Sequence, residues 1–221
     1  MRRVLARAVV RLGLACTLAA SALAACGGAE PVELSSAWPQ KSGDFEEVNE
    51  KWTRHGRDNQ GLGGKERARL RQTIDVYATF KSPEWRAAWI AHQKEKHRLS
   101  AAAVRELTEK VRKEDAERYE VALLVATHDR RSNDLQKGTR STWRVALVDE
   151  SGTEIVASQI KRDRRPAVEI AAEFPHMGDF HEPYVAVFPR SVDLLRPEAR
   201  RFLLKVTSYQ GGVVLEWREP K

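Results

Sequence analysis

The sequence predicts a mainly β protein: an antiparallel β-sandwich of immunoglobulin-like type with an inserted helical hairpin and a short N-terminal helix. A β-barrel is the alternative. Three observations predict it. Apolar residues alternate with polar ones over short runs from about residue 71 to the C-terminus. Proline, glycine and serine punctuate those runs at near-regular intervals. Between the first two runs, residues 83–118 change to a helical period. At 221 residues with 42 % hydrophobic side chains, the chain can bury one core but cannot build a polytopic membrane protein.

The elements follow in order. Residues 27–41 hold Gly, Ala, Pro and Ser without periodicity and read as a flexible tether. Ser42 is placed to cap a short helix over 43–55, with Phe45, Val48, Trp52 and His55 along one face and Gly56 as its stop. A glycine-rich loop follows to about residue 66. Ile74, Val76, Ala78 and Phe80 then mark a half-buried strand that Ser82-Pro83 ends. Pro83 opens a helix to about His97, and Ser100 caps a second to about Arg118. Further strands are expected over 119–127, 142–149, 153–160, 168–174, 184–188, 202–206 and 213–217. Glu150-Ser151-Gly152 and Gly211-Gly212 serve as turns. The domain proper is thus 67–221.

Ahead of it, Arg2, Arg3, Arg7 and Arg11 precede an apolar stretch of about fourteen residues, too short to span a bilayer comfortably. The stretch ends Leu23-Ala24-Ala25-Cys26-Gly27, which resembles the lipobox of bacterial lipoproteins. The resemblance covers the first 27 residues alone. It implies that residues 1–25 are a cleaved signal peptide and that Cys26 becomes the lipidated first residue of the mature chain. Gly27 after the cysteine implies sorting to the outer membrane, with the domain on its periplasmic face. Two or three acyl chains, at roughly 0.8 kcal/mol per buried methylene, then make a permanent membrane anchor. Cleavage removes four arginines and lowers the formal net charge from +7 to +3. A nucleic-acid partner therefore finds no support in the mature composition. Cys16 leaves with the leader, so no disulfide is available and the core alone must hold the fold.

Residues able to carry chemistry are sparse. The glycine-rich loop lacks the spacing of a phosphate loop: Asn59 stands where glycine is needed and Glu66 where Ser or Thr is needed. No Ser-His-Asp order or nucleophile elbow is present, so no catalytic residue is expected. His176, Asp179, His181 and Glu182 crowd one short loop with N and O donors. They are weak candidates for a metal in a chain otherwise expected to need no cofactor. Trp85, Trp89, Trp143 and Trp217 sit at periodic positions and read as core.

Charge carries the remaining signal. If successive strands alternate direction, loops 128–141, 161–166 and 189–201 share one end. They bring Arg130, Arg131, Arg140, Lys161, Arg162, Arg164 and Arg165 together as a contact for anionic headgroups or an acidic envelope polymer, beside the arriving tether. The function this supports is a lipid-anchored, non-catalytic interaction or structural module of the cell envelope. The alternatives are a small-ligand or metal-binding lipoprotein, using loop 175–183 or the groove between helices and sheet, and a hydrolase without a recognisable motif.

Overall fold

The computed structural model describes residues 30–58 and 73–220; the leader, Cys26 and most of the glycine-rich loop lie outside them. The chain runs α1 (Phe45–Trp52), β1 (Thr53–Asp58), β2 (Ile74–Phe80), α2 (Pro83–His97), α3 (Ala101–Glu117) and β3 (Arg118–Thr127). After two 3-10 turns come β4 (Arg144–Val148), β5 (Glu154–Val156), β6 (Gln159–Arg162), α4 (Ala167–Glu173), β7 (Glu182–Pro189), β8 (Arg201–Ser208) and β9 (Gly211–Arg218). Among the described residues, no helix is long and apolar enough to cross a membrane.

Every strand pairing is antiparallel. One sheet has the order β1-β2-β3-β7-β6, the other β5-β4-β8-β9. The inner face of the first carries Ile74, Val76, Ala78, Phe80, Val121, Leu123 and Val125, all essentially inaccessible to water. They meet Val145, Leu147, Phe202, Leu204, Val206, Leu215 and Trp217 of the second. This is the alternation read in the sequence: period two puts one apolar row per strand between two sheets. Phe202 and Trp217 stack with ring centroids 5.1 Å apart, and the Trp217 indole N–H donates to Trp52 O at 3.0 Å, so the largest ring is buried without losing its polar group. The edges β1, β6, β5 and β9 leave each sheet open, so no barrel closes.

The helical hairpin forms where its signals lie. Ser82 caps α2 through Trp85 N–H, Pro83 stands at its first turn, and Ser100 caps α3 through Ala103 N–H. Together with α1 the hairpin covers the outer face of the five-stranded sheet. On that face Thr79 is buried beside Thr53 at the end of α1, and Asp75 is buried by its pairing with His55 and Arg57.

Four expectations are corrected. The strand expected over 168–174 is helix α4. The alternating apolar positions 168, 170, 172 and 174 also contain an i, i+4 pair, and Ile170 and Phe174 are the two residues buried, while Val168 is 75 % exposed. Alanines at 167, 171 and 172 favour the helix, and Pro166 stands at its N-cap. The strand expected over 153–160 bends at Ala157-Ser158, so β5 belongs to one sheet and β6 to the other. The last hairpin turns at Tyr209-Gln210, with Ser208 opposite Gly211, so the two glycines begin β9 rather than form the turn. The first helix is capped by Asp44 rather than Ser42 and stops at Trp52, and His55 belongs to β1.

The stretch expected as a free tether is docked from residue 30. Val32 and Leu34 are buried; Val32 N–H donates to Arg218 O at 2.8 Å, Leu34 N–H donates to the Glu219 carboxylate, and the Arg54 guanidinium donates to Glu30 O at 2.6 Å. Two apolar side chains among small polar ones are enough to fix this segment against the sandwich.

Candidate functional site

Of the three basic loops expected at one end, 128–141 and 161–166 lie there, with Arg162 against Asn133, and 189–201 does not. Helix α4 replaces a strand, so β7 runs opposite to the direction that strand counting gives it. Arg118 pairs with Pro189 and Val125 with Glu182, which puts loop 128–143 at one end of the sheet and loop 190–200 at the other. Arg196 accordingly lies 4.0 Å from Asp149, in the turn at that far end. Arg130, Arg131 and Arg140 stay at the first end, with Arg130 over the exposed Phe180 ring. Arg162 donates to Asn133 O at 3.3 Å and lies over Tyr184. Arg165 is held by Asp163 at 2.7 Å and Glu173 at 2.5 Å, which push its pKa further above the ordinary arginine value. The docked segment at Glu30 and Val32 meets the ends of β1 and β9 at the end away from Arg130, so the tether does not arrive beside the basic loops.

The loop His176–Glu182 closes over β1 and β2. Tyr77 is stacked between His55 at 4.1 Å and His176 at 4.6 Å, with His181 edge-on. His176 pairs with Glu50 at 2.7 Å, and His55 and Arg57 both bind Asp75. His181 Nδ1 accepts from Gly178 N–H, and burial holds its pKa below the usual histidine value, so its proton sits on Nε2. Asp179, His181 and Glu182 line a cleft of about 550 Å³ with Arg57, Asp75 and Arg130. Among the described residues, no three His, Cys, Asp or Glu side chains group closely enough to hold a metal. His176 is drawn off to Glu50, and that cleft's Arg57 is already neutralised by Asp75.

A second cleft, of about 370 Å³, lies in the groove between helical hairpin and sheet. Helix α2 supplies Trp85, Arg86 and Trp89, α3 supplies Leu107, Lys110 and Val111, and the sheet supplies Glu120, Lys161 and Val185. Arg86 is only 3 % exposed. Its Nε donates to Lys81 O at 3.1 Å and lies 3.3 Å from Asp115, whereas its Nη2 is 3.9 Å from Glu120 and makes no hydrogen bond. The Trp89 indole Nε1 is also buried and unpartnered. Of the three buried side-chain polar atoms without a hydrogen bond among the described residues, two belong to residues that line this one cleft; the third is His181 Nε2. Leaving such a donor unsatisfied costs about 1–3 kcal/mol, so two in one groove call for an explanation.

The electrostatics divide the cleft into two zones. At its floor, Lys81 lies 3.4 Å from Glu120, and Asp115 and Glu120 together offset Arg86. Burial would raise the Glu120 pKa, but Lys81, Arg86 and Arg118 hold it below the ordinary carboxylate value; burial dominates at Asp115 and raises it. The floor is therefore close to neutral and rich in donors. At its rim, Lys110, Lys161 and Arg164 are exposed and form no ion pair among the described residues. The lining thus combines Arg86 and Trp89, each with an unpartnered donor, the exposed cations Lys110, Lys161 and Arg164, and the apolar side chains of Leu107, Val111 and Val185.

The expected tryptophan packing holds for Trp85, Trp143 and Trp217, each at most 2 % exposed. Trp89 is the exception, since it is only partly buried and lines the cleft. Comparison with protein-family models, curated proteins and solved structures finds no match to the chain.

Proposed function

We propose that this chain is a lipid-anchored protein of the cell envelope that works by binding rather than by catalysis, holding a ligand or partner segment in the groove between α2, α3 and the five-stranded sheet. One observation carries the binding reading: two buried donors, Arg86 Nη2 and Trp89 Nε1, lack acceptors, and both residues line the same 370 Å³ groove. A groove of this size with a few convergent polar groups suits a small ligand or a short segment. The envelope address rests on Leu23-Ala24-Ala25-Cys26, and on Gly27 for the periplasmic face of the outer membrane. Because Glu30 is docked, only four peptide steps separate it from Cys26, a reach of at most about 14 Å. On this reading the domain stands close to the bilayer, and loops 128–143 face away from it. The immunoglobulin-like description of the two sheets is kept as part of the same proposal.

Photo-crosslinking in intact cells tests the reading, with the reactive side chain placed at Leu107 in the groove or at the exposed Val214 on β9. A discrete adduct from position 107 and none from 214 is expected. Equal labelling from both, or none from either, overturns the binding role. In the same preparation, the N-terminal peptide should begin at Cys26 and carry diacylglyceryl and acyl mass. An unmodified thiol or a retained leader removes the address.

A further inference from the structure

We infer that the groove recognises an acidic peptide segment, its backbone carbonyls taken by the floor and its carboxylates by the rim; this rests on the binding role proposed above. The two zones decide the class. A bare anion at the floor would meet Glu120, which already lies 3.4 Å from Lys81 and 3.9 Å from Arg86 and stays ionised. The acceptor that Arg86 Nη2 and Trp89 Nε1 need is therefore neutral, as an amide carbonyl is. The rim asks for the opposite: Lys110, Lys161 and Arg164 have no acidic partner among the described residues, while Arg165 beside them is fully engaged by Asp163 and Glu173. Neutral acceptors and carboxylates spaced a few ångströms apart on one chain are what an acidic peptide offers. The apolar lining of Trp89, Leu107, Val111 and Val185 suits an apolar side chain between two acidic ones. The volume of about 370 Å³ limits the recognised stretch to a few residues.

The test uses the lipidated mature protein in detergent micelles, with its tryptophan indoles labelled for NMR and the Trp89 signal identified from Trp89→Phe. The probe is the acetylated, amidated peptide Glu-Leu-Glu, with Gln-Leu-Gln as its uncharged counterpart. The Trp89 N–H signal should move as its proton gains an acceptor. Binding of the acidic peptide should be about tenfold tighter than that of the neutral one, as a few exposed ion pairs together supply. It should weaken toward the neutral peptide's value in Lys161→Glu/Arg164→Glu and at high salt. If both peptides move the signal equally, the groove binds peptide but does not select acid, and the inference fails while the binding role stands. If neither peptide moves it, the inference fails outright, and crosslinking from position 107 judges the binding role separately. If inorganic phosphate moves it as the acidic peptide does, the floor takes anions and the two-zone argument is wrong.

Discussion

Arg86 Nη2 lies 3.9 Å from Glu120 Oε2, beyond hydrogen-bond reach, although both residues are more than nine-tenths buried. The pair is close enough to compensate charge and too far apart to satisfy the donor. This separates what holds the hairpin to the sheet from what the groove offers a ligand.

The first consequence concerns stability. Arg86 lies 3.3 Å from Asp115, nearer than Arg190 at 3.8 Å, whereas Glu120 has Arg118 at 2.8 Å and Lys81 at 3.4 Å inside Arg86 at 3.9 Å. Arg86→Met should cost about 3 kcal/mol, because it removes the nearest cation from the buried Asp115 and the hydrogen bond to Lys81 O. Trp89→Phe removes a donor that has no partner and should cost well under that, by the loss of packing alone. Urea denaturation of the two variants checks the contrast.

Helix α4 gives a second expectation. Ile170 is 1 % exposed and Val168 is 75 % exposed. Ile170→Ala should destabilise by about 2–4 kcal/mol and Val168→Ala by less than about 0.5 kcal/mol. On a strand the two would share a face and lose comparable amounts, so similar losses would contradict the helix.

Glycine use at β9 is a third. Gly211 has φ 143°, and a Cβ there would collide with the Asp58 carboxylate. Gly152 has φ 89° with open space around it. Gly152→Ala should cost about 1 kcal/mol from backbone strain, and Gly211→Ala clearly more, because strain and collision add. Thermal unfolding measures both.

A fourth follows from Asp75. Burial would raise its pKa, but hydrogen bonds from Arg57 and His55 hold it below the ordinary aspartate value. A carboxylate with a depressed folded pKa stabilises the fold above its unfolded pKa, near 4, and that stability is lost as pH falls through the folded value. Stability should therefore decline on acidification below about pH 5. Asp75→Asn should be less stable at neutral pH and show a shallower acid limb in pH-dependent denaturation.

Much of the architecture was readable because it rests on local chemistry. Ser82, Pro83 and Ser100 announce the hairpin's starts, and alternation at 74–80 and 119–125 shows which residues face the second sheet. What failed was local ambiguity with long-range consequences. Residues 168–174 satisfy both a period of two and an i, i+4 pair, and reading them as strand reversed the direction assigned to β7. The three basic loops were thereby gathered at one end, where the structure keeps 128–141 and 161–166 and moves 190–200 to the other. The groove between helices and sheet could be named as a place, but not its donors. Arg86 and Trp89 are three apart on α2, and nothing in that spacing shows that their N–H groups find no acceptor once the hairpin folds back. The docking of Val32 and Leu34 went unseen because two apolar residues have no period.

The claim that the groove holds a ligand is tested most directly by native mass spectrometry of protein released from envelope membranes in mild detergent, wild type beside Trp89→Phe and Lys161→Glu/Arg164→Glu. The account predicts a non-covalent adduct of constant mass on the wild type, depleted in both variants at unchanged lipid mass. A wild-type spectrum showing only the lipidated chain, or the same adduct on all three proteins, would contradict it.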